Sequence, residues 1–432
     1  MSTTMKQEER AFETEMAVVG TGIAGVAASI FALNRGISVS LAGNTGSLAY
    51  TTGYLDLMGS FEKKNFAHVD DPWQAVAALA VEDPDHPLAA IDVADIKTAF
   101  TDFVAFISAC GIAYTHPAEE NLTAMSPVGT VKKTLCVPKT MMAGVTAYAE
   151  KSRCVIIDFR GLRGFSGAQI VANLGPDWPQ LRHERITVPG MLHTEIYPEV
   201  LARTLEVPDN REVFAEAVKR VAGDAEAIGM PAVLGMHDPD KTRAELERLI
   251  GVPLFEIPTM PPSVPGIRLR EMVEQYFPQK GVTLIPQQKV TKIALSDDAA
   301  VLHTADNYGP IRIVAKTVVL ATGRFISGGL EAEVERIREP LLDLPVTQPE
   351  TRDQWYRQQY MGRIGHDVHK AGIEVDGSFR PLAGTGKPAH ERLFAAGILL
   401  AHQDWIRSRS GAGIAIATAY KAVEAAAQLL GK

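Results

Sequence analysis

The chain has 432 residues, of which 46% are hydrophobic and 22% charged, with a formal net charge of −8. That length and balance allow a sizeable core in two or three domains, or in one large domain carrying a second, and the acidic charge argues against a nucleic-acid face. Three scattered cysteines, Cys110, Cys136 and Cys154, exclude a disulfide framework and a cysteine-ligated iron–sulfur cluster built by this chain alone, and they fit a reducing compartment.

Residues 1–14 contain no apolar core of the kind a secretory signal needs and read as a flexible tail. Met16–Gly20 is a short apolar run ending in glycine, the pattern of a buried parallel strand. Ile23–Gly36 reads as a helix with small residues towards that strand and a glycine stop, and Ile37–Ala42 as a second strand, so the start of the chain is a βαβ unit. Glu62–Glu150 is mostly helical by pattern, Cys154–Phe159 is a strand, and Arg211–Gly223 and Asp240–Gly251 are amphipathic helices. Val252–Gly266 carries five prolines, which excludes a helix and indicates a stiff loop beside a cleft. Lys289–Gly323 alternates as a β-meander that feeds a buried strand. The chain closes as strand, polar loop and helix, and the final run Gly411–Leu430 includes Lys421 and Glu424 and is rich in alanine, so it reads as a buried helix and not a membrane span.

Three separated pieces point to a nucleotide. Gly20-Thr21-Gly22-Ile23-Ala24-Gly25 is a GxGxxG turn between an apolar strand and a helix, where backbone N–H groups and the helix dipole receive a phosphate. Ala321, Thr322 and Gly323 end the buried strand, and small residues there leave room for a cofactor. Gly397 ends the last strand, and Gly411, Ala412 and Gly413 open the last helix, which can aim its positive end at a flavin ring. A nicotinamide enzyme needs only the first piece, so all three in this order favour a flavin. The expected fold is α/β, a Rossmann-like FAD/NAD(P)-type two-dinucleotide-binding flavoprotein. Its flavin-binding part would comprise residues 15–60, about 130–185 and 280–432, with an inserted substrate, cap or partner-contact region at about 61–129 and 186–279.

An acidic residue roughly 20 positions after such a turn normally holds a ribose hydroxyl. Here Met16 to Leu55 contains no carboxylate, and Arg35 is its only charge. The gap leans towards FMN, which has no adenosine, with FAD held by Asn44 or by backbone as the alternative.

Five stretches resemble, in order and spacing, the B subunit of anaerobic glycerol-3-phosphate dehydrogenase: Ser47–Ser60, Pro127–Pro138, Asp158–Leu174, Pro258–Leu269 and Val319–Leu330. The likeness spans nearly the whole chain, and the proline-rich and GRFISGGL stretches are its specific parts. It implies a flavoprotein that works with an FAD-containing A subunit and an iron–sulfur, membrane-associated C subunit. Together these oxidise sn-glycerol 3-phosphate to dihydroxyacetone phosphate and pass electrons to quinone, with fumarate or nitrate as terminal acceptor. It further implies a cytoplasmic protein, peripheral at the inner face of the membrane through its complex.

Oxidising a secondary alcohol needs a proton acceptor, a flavin to take the hydride, and cations for the phosphate. Proton-acceptor candidates are His402 and Asp404, with His366 and His369 behind them. Arg324 directly follows Ala-Thr-Gly and is expected beside the flavin. Lys132, Lys133, Arg407 and Arg409 are candidates for the substrate phosphate, as are Arg268 and Arg270, and Thr51, Thr52 and Gly53 are expected to line the ring. No metal site is expected. Two other readings remain open: a flavin subunit that relays electrons or assists assembly without substrate chemistry of its own, and a stand-alone flavin oxidoreductase for another hydroxy acid or amine.

Overall fold

The computed structural model describes residues 9–61, 66–191 and 195–432. In chain order the elements begin with β1 (Arg10–Val19), α1 (Ile23–Asn34), β2 (Val39–Gly43), α2 (Pro72–Glu82) and α3 (Val93–Ala109). A hairpin of β3 (Leu122–Met125) and β4 (Val131–Thr134) is followed by α4 (Met142–Glu150), β5 (Cys154–Phe159), α5 (Gly167–Leu174) and β6 (Leu181–Ile186). Then come α6 (Pro198–Thr204), α7 (Pro208–Ala222), β7 (Ala227–Pro231), α8 (Pro239–Ile250), β8 (Leu254–Ile257) and α9 (Val264–Gln279). The last third holds β9 (Thr283–Pro286), β10 (Lys292–Leu295), β11 (Ala300–Asp306), β12 (Gly309–Leu320), β13 (Leu393–Ala395), α10 (Trp405–Ser408) and α11 (Gly411–Leu430).

The chain divides into two compact units: Met1–Ser47, Ser60–Phe103 and Val273–Lys432 form the first, and Leu48–Gly59 with Val104–Met272 the second. The first unit is built on a sheet in the order β9-β2-β1-β12-β11-β10, with β13 also paired to β12. β1, β2, β9, β12 and β13 run parallel, and β10–β12 form the antiparallel meander. β12 therefore serves twice: its first half holds the meander, and Val318–Leu320 hold β13. α1 is apolar nearly all round because it is enclosed, with Val26, Ile30 and Phe31 at 2% exposure or less; each such side chain contributes roughly 1.5–3 kcal/mol.

The second unit has its own four-stranded parallel sheet, β8-β7-β5-β6. β5 is buried on both faces, which explains its unbroken apolar run. Val155, Ile157 and Phe159 enter one core cluster, and Cys154 and Ile156 enter another, as the two-residue strand period requires.

The structure corrects the sequence reading in four places. Residues 130–185 lie in the second unit, because β5 pairs with β6 and β7 and not with β1 or β12. Residues 60–103 lie in the first unit. Arg10–Thr14 are strand and not tail: they pair with Ile311–Ala315, and their alternating exposure is that of a half-covered strand; residues 1–8 of that tail lie outside the described residues. Finally, the proline-rich stretch contains β8 and the start of α9, whose first turn tolerates Pro265 because its N–H would have no helical partner.

Candidate functional site

In the first unit four parallel strands end level with one another. Val19 is paired with Ala42 on one side and Leu320 on the other, and Leu320 is paired with Ala395. Backbone bonds continue one residue further: Gly20 N–H donates to Ala42 O at 2.7 Å, Ala321 N–H to Val19 O at 2.8 Å, and Ala396 N–H to Leu320 O at 2.9 Å. The carboxyl edge of an open α/β sheet is where ligands bind. Ala321-Thr322-Gly323 and Gly397 from the three sequence pieces stand on that edge with Gly20.

The turn after β1 has no room for side chains. A Cβ at Gly20 would lie 2.2 Å from Ala321 O, and one at Gly25 would lie 1.7 Å from Gly20 O. Gly20 also has φ +111°, a conformation that favours glycine.

α1 and α11 lie side by side and point the same way. Phe31 meets Tyr420 edge-on with ring centroids 5.2 Å apart. At their far ends the Lys432 Nζ donates to Gly36 O at 2.7 Å. At the near end Gly397 touches both: its N–H donates to Thr418 Oγ1 at 2.8 Å, and a Cβ there would fall 2.7 Å from the Ala24 Cβ. Both positive helix ends therefore open towards the strand edge. Among the described residues neither end has a side-chain cap or a first-turn acid. Gly22 and Ile23 open α1, with Ala24 and Gly25 in its first turn; Gly411, Ala412 and Gly413 open α11. Three hydroxyls beside these ends, Thr21 Oγ1, Thr322 Oγ1 and Ser410 Oγ, are buried without a hydrogen-bond partner among the described residues. Unspent donors on two converging helix ends fit a phosphate-bearing cofactor.

Residues 15–414 match the FAD binding domain family. The chain belongs to that FAD-binding family. Its relatives include the B subunit of anaerobic glycerol-3-phosphate dehydrogenase from Vibrio cholerae serotype O1, 29% identical over 95% of each chain. The corresponding B subunit of Yersinia pestis bv. Antiqua is 26% identical over 94% of this chain and 96% of its own, and that of Aliivibrio fischeri is 27% identical over 94% of each. The resemblance read from the sequence holds over almost the whole FAD-binding chain. Among solved structures, a 3-ketosteroid delta1-dehydrogenase from Sterolibacterium denitrificans aligns over 96% of this chain and 100% of its own, at 11% identity and a TM-score of 0.42, a likeness too loose to add to the assignment.

The cofactor is a flavin, and the preference for FMN finds no support in a family defined by FAD. The absent acid misled because of local packing. Gly43, at the end of β2, is pressed against the turn: a Cβ there would lie 2.9 Å from Gly20 Cα and from Thr21 N. No side chain fits at Gly43, so the lack of an acid at that position has a steric reason. Asn44 follows it, exposed.

The catalytic candidates, named singly from the sequence, have separate partners. His402 and Asp404 do not meet in a hydrogen bond. His402 Nε2 is 3.1 Å from Glu374 Oε1, and Asp404 Oδ2 is 3.2 Å from His369 Nδ1. Asp404 also caps α10 by accepting from the Arg407 N–H at 3.1 Å. Burial pushes its carboxyl up, but His369, that N–H and Arg407 outweigh it and hold the carboxyl below its usual range. Arg324 is buried at 7% exposure and donates to the carbonyls of Ile398, Leu400, Gln403 and His369. Burial pushes its guanidinium down to about 10, and Asp404 opposes that shift. Arg324 thus braces the loop after Gly397. Arg407 has a buried Nε without a hydrogen-bond partner among the described residues, and Arg409 ends α10 in the left-handed conformation.

The remaining candidates lie in the second unit. Lys132 pairs with Asp56 at 2.5 Å, and Lys133 stands beside it on β4. Gly53 has φ +83°, and a Cβ there would lie 2.7 Å from Pro265; its carbonyl accepts from the Tyr114 hydroxyl at 2.8 Å. Thr51 Oγ1 is buried without a partner among the described residues, and Thr52 Oγ1 accepts from the Tyr54 N–H at 3.4 Å. Arg268 is spent on the buried Glu256, and Arg270 lies 3.9 Å from Glu271.

Sequence reasoning did not find the pairs Lys132–Asp56, His402–Glu374 and Arg268–Glu256. His402 and Glu374 are 28 residues apart, and Glu256 and Arg268 are 12 apart but on β8 and α9, so no local spacing announces them. Among the described residues no cluster of three His, Cys, Asp or Glu could hold a metal ion, and no helix is long and apolar enough to cross a membrane.

Proposed function

We propose that this chain is the FAD-bearing B subunit of a dehydrogenase that oxidises sn-glycerol 3-phosphate to dihydroxyacetone phosphate. The observation that carries the reading is the pair of uncapped, same-facing helix ends at a level strand edge, in a chain whose relatives are named for that enzyme over about 95% of their length. The backbone of Gly20 to Gly25 and the Thr21 and Thr322 hydroxyls would hold the pyrophosphate. Asn44 would take the adenosine ribose, and Gly411 to Gly413 would face the flavin ring. FAD supplies the two-electron oxidant that accepts a hydride. Arg407 and Arg409, next to the α11 end, are the phosphate-binding cations of the first unit, while Lys132 and Lys133 remain candidates in the second.

The relatives are named as one subunit of a larger enzyme, which supports assembly with further chains. An FAD-containing A-type subunit and an iron–sulfur C-type subunit would carry the electrons on to quinone at the inner face of the membrane. Burial supports an exit through another chain, since it pushes the Cys136 and Cys154 thiols up to about 12, leaving them poor metal ligands.

The test has two steps. Cofactor released by heat and identified by mass spectrometry should be FAD; FMN, or no flavin, would refute the cofactor assignment. The holoprotein, isolated with its partner subunits, should then lose flavin colour on anaerobic addition of sn-glycerol 3-phosphate. One observation favours a second reading, in which this chain relays electrons and its partner oxidises the substrate: Lys132 and Arg324 are already engaged by Asp56 and by four carbonyls. Bleaching of the isolated holo-chain supports the first reading, and bleaching only in the complex leaves the first and second open.

A further inference from the structure

We propose that His369 Nε2 is the proton acceptor in alcohol oxidation, with Asp404 as its positioning residue; the proposal rests on the dehydrogenase reading above. Asp404 Oδ2 lies 3.2 Å from His369 Nδ1. Asp404 is 3% exposed, so the contact is little weakened by water. An ionised carboxylate there fixes the proton on Nδ1 and leaves Nε2 with its lone pair as an acceptor. His369 is partly exposed, and its Nε2 has no hydrogen-bond partner among the described residues.

The other histidines of this region are poorly placed for the role. His366 spends both ring nitrogens: Nδ1 accepts from the Arg357 N–H and Nε2 donates to Tyr360 O, each at 3.0 Å. His86 is buried, with its Nδ1 accepting from the Leu88 N–H. His402 pairs through Nε2, and its partner Glu374 is exposed and shared with Thr347. The backbone carbonyl of His369 also accepts from Arg324, the residue that follows Ala321-Thr322-Gly323 at the strand edge. That bond ties His369 to the loop between Gly397 and α11.

The step balances. The substrate O–H bond breaks and its proton goes to His369 Nε2. The adjacent C–H hydride leaves with its electron pair for the flavin, and the C=O bond forms. The alcohol is oxidised and the flavin reduced.

The test is anaerobic flavin bleaching by sn-glycerol 3-phosphate in the holoprotein with its partner subunits. In His369→Gln, kcat should fall by roughly 10²–10⁴-fold. KM, FAD content and affinity for dihydroxyacetone phosphate should be unchanged, and added imidazole should restore turnover to His369→Ala. Asp404→Asn keeps an oxygen to cap α10, so the fold should persist. It should lower kcat and shift the His369 proton from Nδ1 to Nε2 in ¹⁵N NMR of the ring. A His369→Gln protein within about threefold of wild type, or an Asp404→Asn protein with an unchanged tautomer, overturns the proposal alone. A wild-type complex inert to sn-glycerol 3-phosphate overturns both the dehydrogenase reading and this proposal.

Discussion

Glu256 and Arg268 face each other fully enclosed, joined by two hydrogen bonds of 2.7 Å. The remaining valences are filled: Thr140 Oγ1 and the Leu234 N–H donate to Glu256, and Arg268 donates twice to Gly235 O. Burial pushes the Glu256 carboxyl up, and Arg268, Thr140 and Leu234 together bring it below its usual range. Glu256→Gln should destabilise the second unit by about 3–5 kcal/mol, because it leaves a buried guanidinium uncompensated, whereas the double change Glu256→Leu with Arg268→Met should recover most of that loss. The native carboxyl binds its proton less readily than the unfolded one, so this contribution is complete above the usual carboxylate range and drains as pH falls through the native value. Urea midpoints for the single and double variants across that range check both statements.

His86 titrates in the same sense for a different reason. Burial pushes its imidazole down to about 3, with Lys370 and His402 adding to the shift. Once the pH drops below the ordinary histidine value of about 6.5, the unfolded chain takes up a proton that the native ring refuses. Wild type should lose stability between about pH 7 and about pH 5, and His86→Phe should lose measurably less over that interval. Parallel unfolding curves for both proteins would contradict it.

Thr322→Val should have opposite effects on the apo and FAD-loaded protein. The hydroxyl has no partner among the described residues, so an isosteric apolar replacement should leave the apoprotein as stable as wild type or slightly more so. If FAD uses that hydroxyl, affinity should fall by about 10-fold, the worth of one hydrogen bond of roughly 1.4 kcal/mol. Melting of the apoprotein and FAD titration read the two effects separately.

Gly25→Ala adds one methyl group where the nearest atom, Gly20 O, would be 1.7 Å away. The phosphate-binding turn must move, so the flavin-to-protein ratio should collapse, and stability should drop by at least ~1–3 kcal/mol. Gly36→Ala is the control. Nothing lies within 4 Å of its added Cβ, although its φ of +65° carries some strain, and it should retain flavin.

The βαβ start, the meander, the closing helix and the small-residue corners could be read from sequence, because each is a local pattern of period, punctuation or glycine. β1 could not be read in full, since Arg10–Glu15 holds only two apolar residues, the adjacent Ala11 and Phe12, and is held as strand because β12 lies beside it. The split into units was hidden for a similar reason. Cys154–Phe159 looks like any buried strand, and only its pairing assigns it to the second sheet. At the site, Asp404, His369 and His402 were visible as residue types. Their pairing depends on the chain between Ala371 and Gly397 folding back, which no spacing reveals. The missing acid after β2 was read as chemistry, whereas at Gly43 packing against the Gly20–Thr21 turn leaves no room for a side chain.

The first unit draws its sheet from both chain termini, and α11 is its last element. On a ribosome, the second sheet can close once Ile257 has emerged, while the cradle for the cofactor still lacks its final strand and helix. FAD can therefore be captured only after α11 has emerged, by a polypeptide whose second sheet can already have closed.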